Sequence, residues 1–210
     1  MRKGTVLSLN KFGIFNSVRK SKTIIFLTVI FIIGIILGII LISKSNTTAM
    51  LSKFLFERYL YFHIDKSFLH IFLNSLFLFT GVIFIVFVCG TSFIGIILTP
   101  AYTLLLGYLY GGFLGYIYSK YILKGIAFNS IIIVPVAIFL LLSVIFSSKI
   151  SFNFSLELLK LTFNEQYPSV QIYNFFKSSC NKYLIYLILV LIASLLDAVL
   201  SIFLLHFFNF

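Results

Sequence analysis

From Ser67 to Ser119 the chain carries no Asp, Glu, Lys or Arg, a run of 53 residues. About 20 apolar residues in a helix cross the roughly 30 Å hydrocarbon layer of a bilayer. The run is therefore too long for one crossing and suits two. Its natural break is Cys89 to Gly95, "CGTSFIG", where Gly90 and Gly95 flank hydroxyl residues and a tight turn is expected. Spans follow at about 71–90 and 94–118, with a bend at Pro100 near the start of the latter.

The rest of the chain agrees. It is 61% hydrophobic and 10% charged, with a mean hydropathy of +1.14. Soluble domains are roughly 25% charged, and a chain this apolar cannot clothe a globule in water. Lipid must be its solvent. There every backbone polar group needs an internal partner, which helices supply.

Three further spans complete the pattern. "TIIFLTVIFIIGIILGIILIS" gives the first, at 24–43, behind a basic tail (1–23) that holds Arg2, Lys3, Lys11, Arg19, Lys20 and Lys22 and no acid. Its apolar core is too long for a signal peptide. "GIAFNSIIIVPVAIFLLLSVIFSS" gives the fourth, at 126–147, with Pro135 inside it as a kink site. "YLIYLILVLIASLLDAVLSIFLLHFF" gives the last, at 183–207. Residues 44–70 form a polar connector whose middle reads as an amphipathic helix lying on the membrane, and 149–182 form a second polar stretch. The fold class is all-α: a polytopic membrane bundle of about five spans.

The net charge of +11 does not indicate nucleic acid, because the basic residues flank the apolar runs and no recognition motif accompanies them. Such charges set topology and meet anionic headgroups. With the N-terminus inside, the cytoplasmic segments hold ten Lys and Arg and the opposite side six. The expected orientation is N-in, C-out, in a multi-pass cell-membrane protein.

Glycines recur at Gly107, Gly111 and Gly115, four residues apart. A nucleotide-binding glycine loop needs a preceding strand and a free helix N-terminus, and these glycines lie deep in a spanning helix. Spacing of four puts them on one face, where another backbone can come close. Gly34 and Gly38 form a similar pair in the first span. Packing is the preferred reading, with a hinge at Gly111-Gly112 as the alternative.

Asp197 is the one acid inside a span. A carboxylate at mid-bilayer costs about 2.5–3.5 kcal/mol on insertion scales, so it should face protein or water. It reads first as a polar lock between helices, with Asn74, Asn129 or hydroxyls as partners, and second as a proton or cation site. His63, His70 and His206 are scattered and read as interfacial or packing residues. Cys89 and Cys180 are too few for a disulfide framework, and no metal or other cofactor is implied. Paired carboxylates, a nucleophile beside a base and a zinc-binding His pair are all missing, so an enzyme is not expected.

Taken in order, these features resemble the stage II sporulation protein M family over about residues 20–205. The points of similarity are Asn74, Gly90 and Gly95, the row Gly107, Gly111 and Gly115, Lys124-Gly125, Pro135, and an acid near the end of the last span, here Asp197. Residues 24–208 would form the family's membrane domain. Two departures stand out: Val136-Ala137 occupy a place where the family often has a polar pair, and Asp197 one where it often has Glu. The resemblance implies a non-enzymatic scaffold that localises peptidoglycan-degrading partners at the membrane during engulfment. Relatives beside peptide-export ABC transporters imply the alternative of an export or immunity accessory, and Asp197 leaves a transporter open. The partners expected are the bilayer and other membrane proteins, with a homo-oligomer also open.

Overall fold

The computed structural model describes residues 4–44, 46–64, 66–163 and 169–204, and among them there is no strand. Six helices account for them: α1 (Gly4–Lys44), α2 (Asn46–His63), α3 (Phe68–Gly90), α4 (Gly95–Phe128), α5 (Val134–Phe163) and α6 (Ser169–Leu204). A π-helical turn, Asn129–Ile133, leads into α5. Arg2, Lys3, Asp65, Glu165 and His206 lie outside the described residues.

Four apolar stretches are long enough to cross a membrane: Lys22–Ile42, Phe68–Gly90, Gly95–Lys160 and Phe176–Leu204. The third runs for 66 residues, about 100 Å of helix at 1.5 Å per residue, some three times the hydrocarbon thickness. It is folded back on itself at Ile122, where φ is 44° and the helix breaks. Thr103 meets Ser148, and Tyr118 meets Asn129 at 2.6 Å, so the two legs run antiparallel. Gly125 closes the bend: a Cβ there would lie 2.9 Å from the Ile117 side chain.

The helices run past the apolar runs that define the spans. α1 begins at Gly4, within the basic tail, and α5 continues to Phe163, through much of the second polar stretch. Backbone hydrogen bonding continues wherever no breaker intervenes, so polarity alone does not end a helix.

The two prolines inside the expected spans behave differently. The backbone of α4 keeps helical dihedrals through Pro100, and its one break is at Ile122. Pro135 follows the π-helical turn, where the Val134 N–H bonds the Asn129 carbonyl, five residues back. One extra residue per turn at this point absorbs the hydrogen bond that Pro135 cannot make.

α2 corrects one expectation. It does not simply lie on the membrane; Ser52, Phe56, Tyr59 and His63 turn one face into the bundle, and Ser52, Phe56 and His63 are buried. Phe56 sits among Phe113, Tyr116, Tyr121 and Phe128, with ring centroids 5.5–6.3 Å away. These rings, with Ile117, Ile132 and Ile133, make an aromatic cluster joining α2 to α4 and to the π-helical turn before α5. A second cluster, Ile83, Tyr183 and Val190, joins α3 to α6. Outward residues such as Phe77, Phe84, Leu184 and Phe203 are exposed, as helices solvated by lipid require.

Candidate functional site

Three polar or close-packed arrangements hold the bundle, and the most unusual surrounds Asp197. Asp197 is buried on α6, one turn before the buried Ser201. His63, at the end of α2, places Nε2 2.9 Å from Asp197 Oδ2. Ser75 of α3 donates its hydroxyl to the same oxygen. Tyr59 donates to Oδ1 at 3.2 Å, and its oxygen lies 3.4 Å from Ser201 Oγ. Three helices, α2, α3 and α6, therefore converge on one carboxylate.

The hydrogen-bond geometry constrains the protons. His63 Nδ1 is 2.6 Å from the Tyr59 carbonyl, which can only accept, so Nδ1 carries a hydrogen. Nε2 and Oδ2 then share a single proton between them, and the pair is neutral as a whole wherever that proton sits. Burial, followed by the nearby carboxylate, pushes the Tyr59 hydroxyl well above its ordinary range, so it remains a donor. The Tyr59 and His63 rings stack with centroids 3.9 Å apart. Every oxygen of Asp197 thus has a donor, as a buried carboxylate requires.

The second arrangement is a glycine seam between α1 and α4. Gly34 faces Gly107, with a Cβ on the former falling 3.1 Å from the Cα of the latter. Gly38 faces Gly111 and Gly112, where its Cβ would meet the Gly112 nitrogen at 2.7 Å. Gly111 lies on Ile35, and Gly115 lies beside Ile39 and Ile42. Residue numbers rise together along the seam, so α1 and α4 are parallel, backbone against backbone.

The third is a group of hydroxyls at the opposite end of the bundle from Asp197. Ser143, Ser147, Ser151 and Ser155 recur every four residues on α5, and all are buried. Ser151 donates to the Val86 carbonyl at 2.7 Å and touches the Tyr183 hydroxyl. Tyr183 also donates to the Ser147 carbonyl at 3.0 Å, and Ser155 to the Gly90 carbonyl at 3.0 Å. Gly90 and Gly95, which bound the turn, are pressed against Ser151 and Ser155 respectively.

Of the residues singled out in the sequence, the glycines of α1 and α4 come together, and Gly90 and Gly95 meet the serine row. Asn74 does not reach Asp197; its neighbour Ser75 does, while Asn74 Nδ2 is buried without a hydrogen-bond partner. Asn129 donates to Tyr118. His63 is not a packing bystander but the ionisable partner of Asp197. A helical signal was present: Ser52, Phe56, Tyr59 and His63 are spaced 4, 3 and 4, one face of a helix. The serine row of α5 was equally visible as a spacing of four. Cys89 and Cys180 are free thiols, and among the described residues no group of three His, Cys, Asp or Glu could hold a metal ion.

No curated protein and no solved structure gives a match to this chain. The family model described as stage II sporulation protein M matches residues 27–202. That stretch contains the glycine seam, the serine row and the whole Asp197 cluster. The chain belongs to the stage II sporulation protein M family and is a membrane protein with an all-helical fold.

Proposed function

We propose that this chain is a non-enzymatic scaffold of the cell membrane, oriented N-in and C-out, that localises peptidoglycan-remodelling partners during engulfment. The observation that carries the reading is how α2 is held. Its inner face is tied to α3 and α6 through His63 and Asp197, while Met50, Phe54 and Tyr61 on its outer faces stay exposed. In the proposed orientation α2 lies toward the side on which cell wall is cut. A rigidly mounted helix with exposed large side chains is suited to holding a partner rather than to chemistry.

Affinity capture of the full chain from detergent-solubilised membranes, taken while engulfment is under way, tests this. Peptidoglycan-degrading enzymes are expected in the captured complex. Recovery of an ABC-transporter ATPase instead would overturn the scaffold reading in favour of an export accessory. The three polar partners of Asp197 favour a lock over an ion path, since an ion site must exchange its ligand. Proteoliposomes of the wild type are therefore expected to show no flux driven by a pH gradient. A flux abolished by Asp197→Asn would revive transport.

A further inference from the structure

A cavity of about 440 Å³ is lined by residues of α2, α3, α4 and α5, with Phe31 of α1 completing it. It falls within the roughly 300–1,000 Å³ range of small-molecule sites. Its lining is strongly polarised along the bundle. Its polar side chains are Arg58, Tyr59 and His63, at the α2 end, Asn74 on α3 and Tyr110 on α4. Away from that end the walls are hydrocarbon: Val82 on α3, Leu106 on α4, Leu141 and Val144 on α5. From Asn74 to Val82 the α3 wall is about 12 Å deep at 1.5 Å per residue.

One charged group sits at the mouth. Arg58 is exposed at the rim, its guanidinium 5.6 Å from the centroid of the Phe62 ring. A matching occupant has an anion at the level of Arg58 and a flexible hydrocarbon chain beyond it. An anionic phospholipid has these in that order: phosphate, then acyl chain.

We propose that the cavity is a specific lipid site, taking one acyl chain of an anionic phospholipid whose phosphate is held by Arg58. Arginine suits the phosphate because its planar fork binds two oxygens at once. The site rests on the cavity alone and stands whether or not the chain is a scaffold. Its consequence is that the lipid packs against α2, α3 and α4 together, so membrane composition sets how α2 is supported.

The test uses the full chain in nanodiscs containing phosphatidylglycerol with a photoreactive group near the end of its acyl chain. In the wild type the label is expected on Leu106, Leu141 or Val144, and native mass spectrometry should show about one phosphatidylglycerol retained per chain. Phosphatidylcholine, which lacks net charge, should be retained about tenfold less, and Arg58→Gln should erase most of that preference, the scale of one charged hydrogen bond. Because Arg58 lies at an exposed rim, the variant should melt as the wild type does. Labelling confined to outward residues such as Phe77 and Phe84 would overturn the proposal. So would equal retention of the two lipids, or an Arg58→Gln variant with its preference intact.

Discussion

The glycine seam and the Asp197 cluster solve the same problem by opposite means. Between helices in lipid there is no hydrophobic gain from association, so specificity comes from packing or from polar pairing. Along the seam, side chains are removed: Gly34, Gly38, Gly107 and Gly111 let α1 and α4 touch through backbone atoms. Around Asp197, side chains are added until a buried carboxylate has a donor from every side. The seam discriminates by shape and fails when volume is inserted. The cluster discriminates by proton and charge, and fails when one partner is removed. The first joins two helices long and apolar enough to cross a membrane, while the second recruits α2, which is not among them.

The largest effect is expected in the seam. A Cβ at Gly111 would lie 2.7 Å from the Cα of Ile35, which is backbone and cannot swing away. Overpacking a core that can adjust costs about 1–3 kcal/mol, and here little can adjust. Gly111→Leu should therefore give no monodisperse folded protein on size-exclusion chromatography in detergent. Gly81 is the control, since a Cβ there meets nothing within 4 Å. Gly81→Ala should raise stability by about 0.5–1 kcal/mol, the usual gain of Ala over Gly inside a helix. A well-behaved Gly111→Leu protein with a wild-type melting curve would mean that α1 and α4 are not in backbone contact.

Next comes the His63–Asp197 pair. Both side chains are nearly sealed, at 3% and 4% exposure, so removing one strands the other. Breaking such a pair typically costs about 3–5 kcal/mol, whereas replacing both members by apolar residues is much less harmful. His63→Leu and Asp197→Leu should each destabilise strongly, and the double variant should cost less than the two combined. Recovery will be incomplete, because Tyr59 and Ser75 lose their acceptor. Denaturation in mixed micelles across this cycle measures the coupling. Strictly additive losses would show that the two residues do not act as a unit.

How much of this was legible follows from the same contrast. Steric constraints leave a periodic trace, so the rows Gly34–Gly38 and Gly107–Gly111–Gly115 could be read as a packing face from spacing alone. Which rows meet each other could not, because both fit the same kind of groove. The cost of burying Asp197 marked it as paired, but the pairing partner lies 134 positions away in sequence, in a segment too polar to read as part of the bundle. The reversal between α4 and α5 was signalled by the gap between spans at 94–118 and 126–147, yet its location at Ile122 was not, since a β-branched residue is among the least expected at positive φ. Pro135 was visible as a defect in a span. Its repair by a π-helical turn depends on the backbone upstream, which residue identity does not determine.

The smallest effect separates the serine row from both. Ser151→Ala removes a 2.7 Å bond to the Val86 carbonyl and the contact with the Tyr183 hydroxyl. Val86 lies four residues from the end of α3, so its carbonyl keeps a place in the helical ladder and is not stranded. Tyr183 still has the Ser147 carbonyl at 3.0 Å. With no group orphaned, the loss should match the average for hydrogen bonds between membrane helices, about 0.6 kcal/mol, and stay below about 1.7 kcal/mol. Gly90→Ala at the same contact should be far worse, because its Cβ would fall 2.7 Å from the Cα of Ser151. The expected ranking thus makes this end of the bundle a second steric seam whose hydroxyls only fill it. A Ser151→Ala loss as large as that of His63→Leu would instead make it a second polar lock, and the division between shape at one place and charge at another would no longer hold.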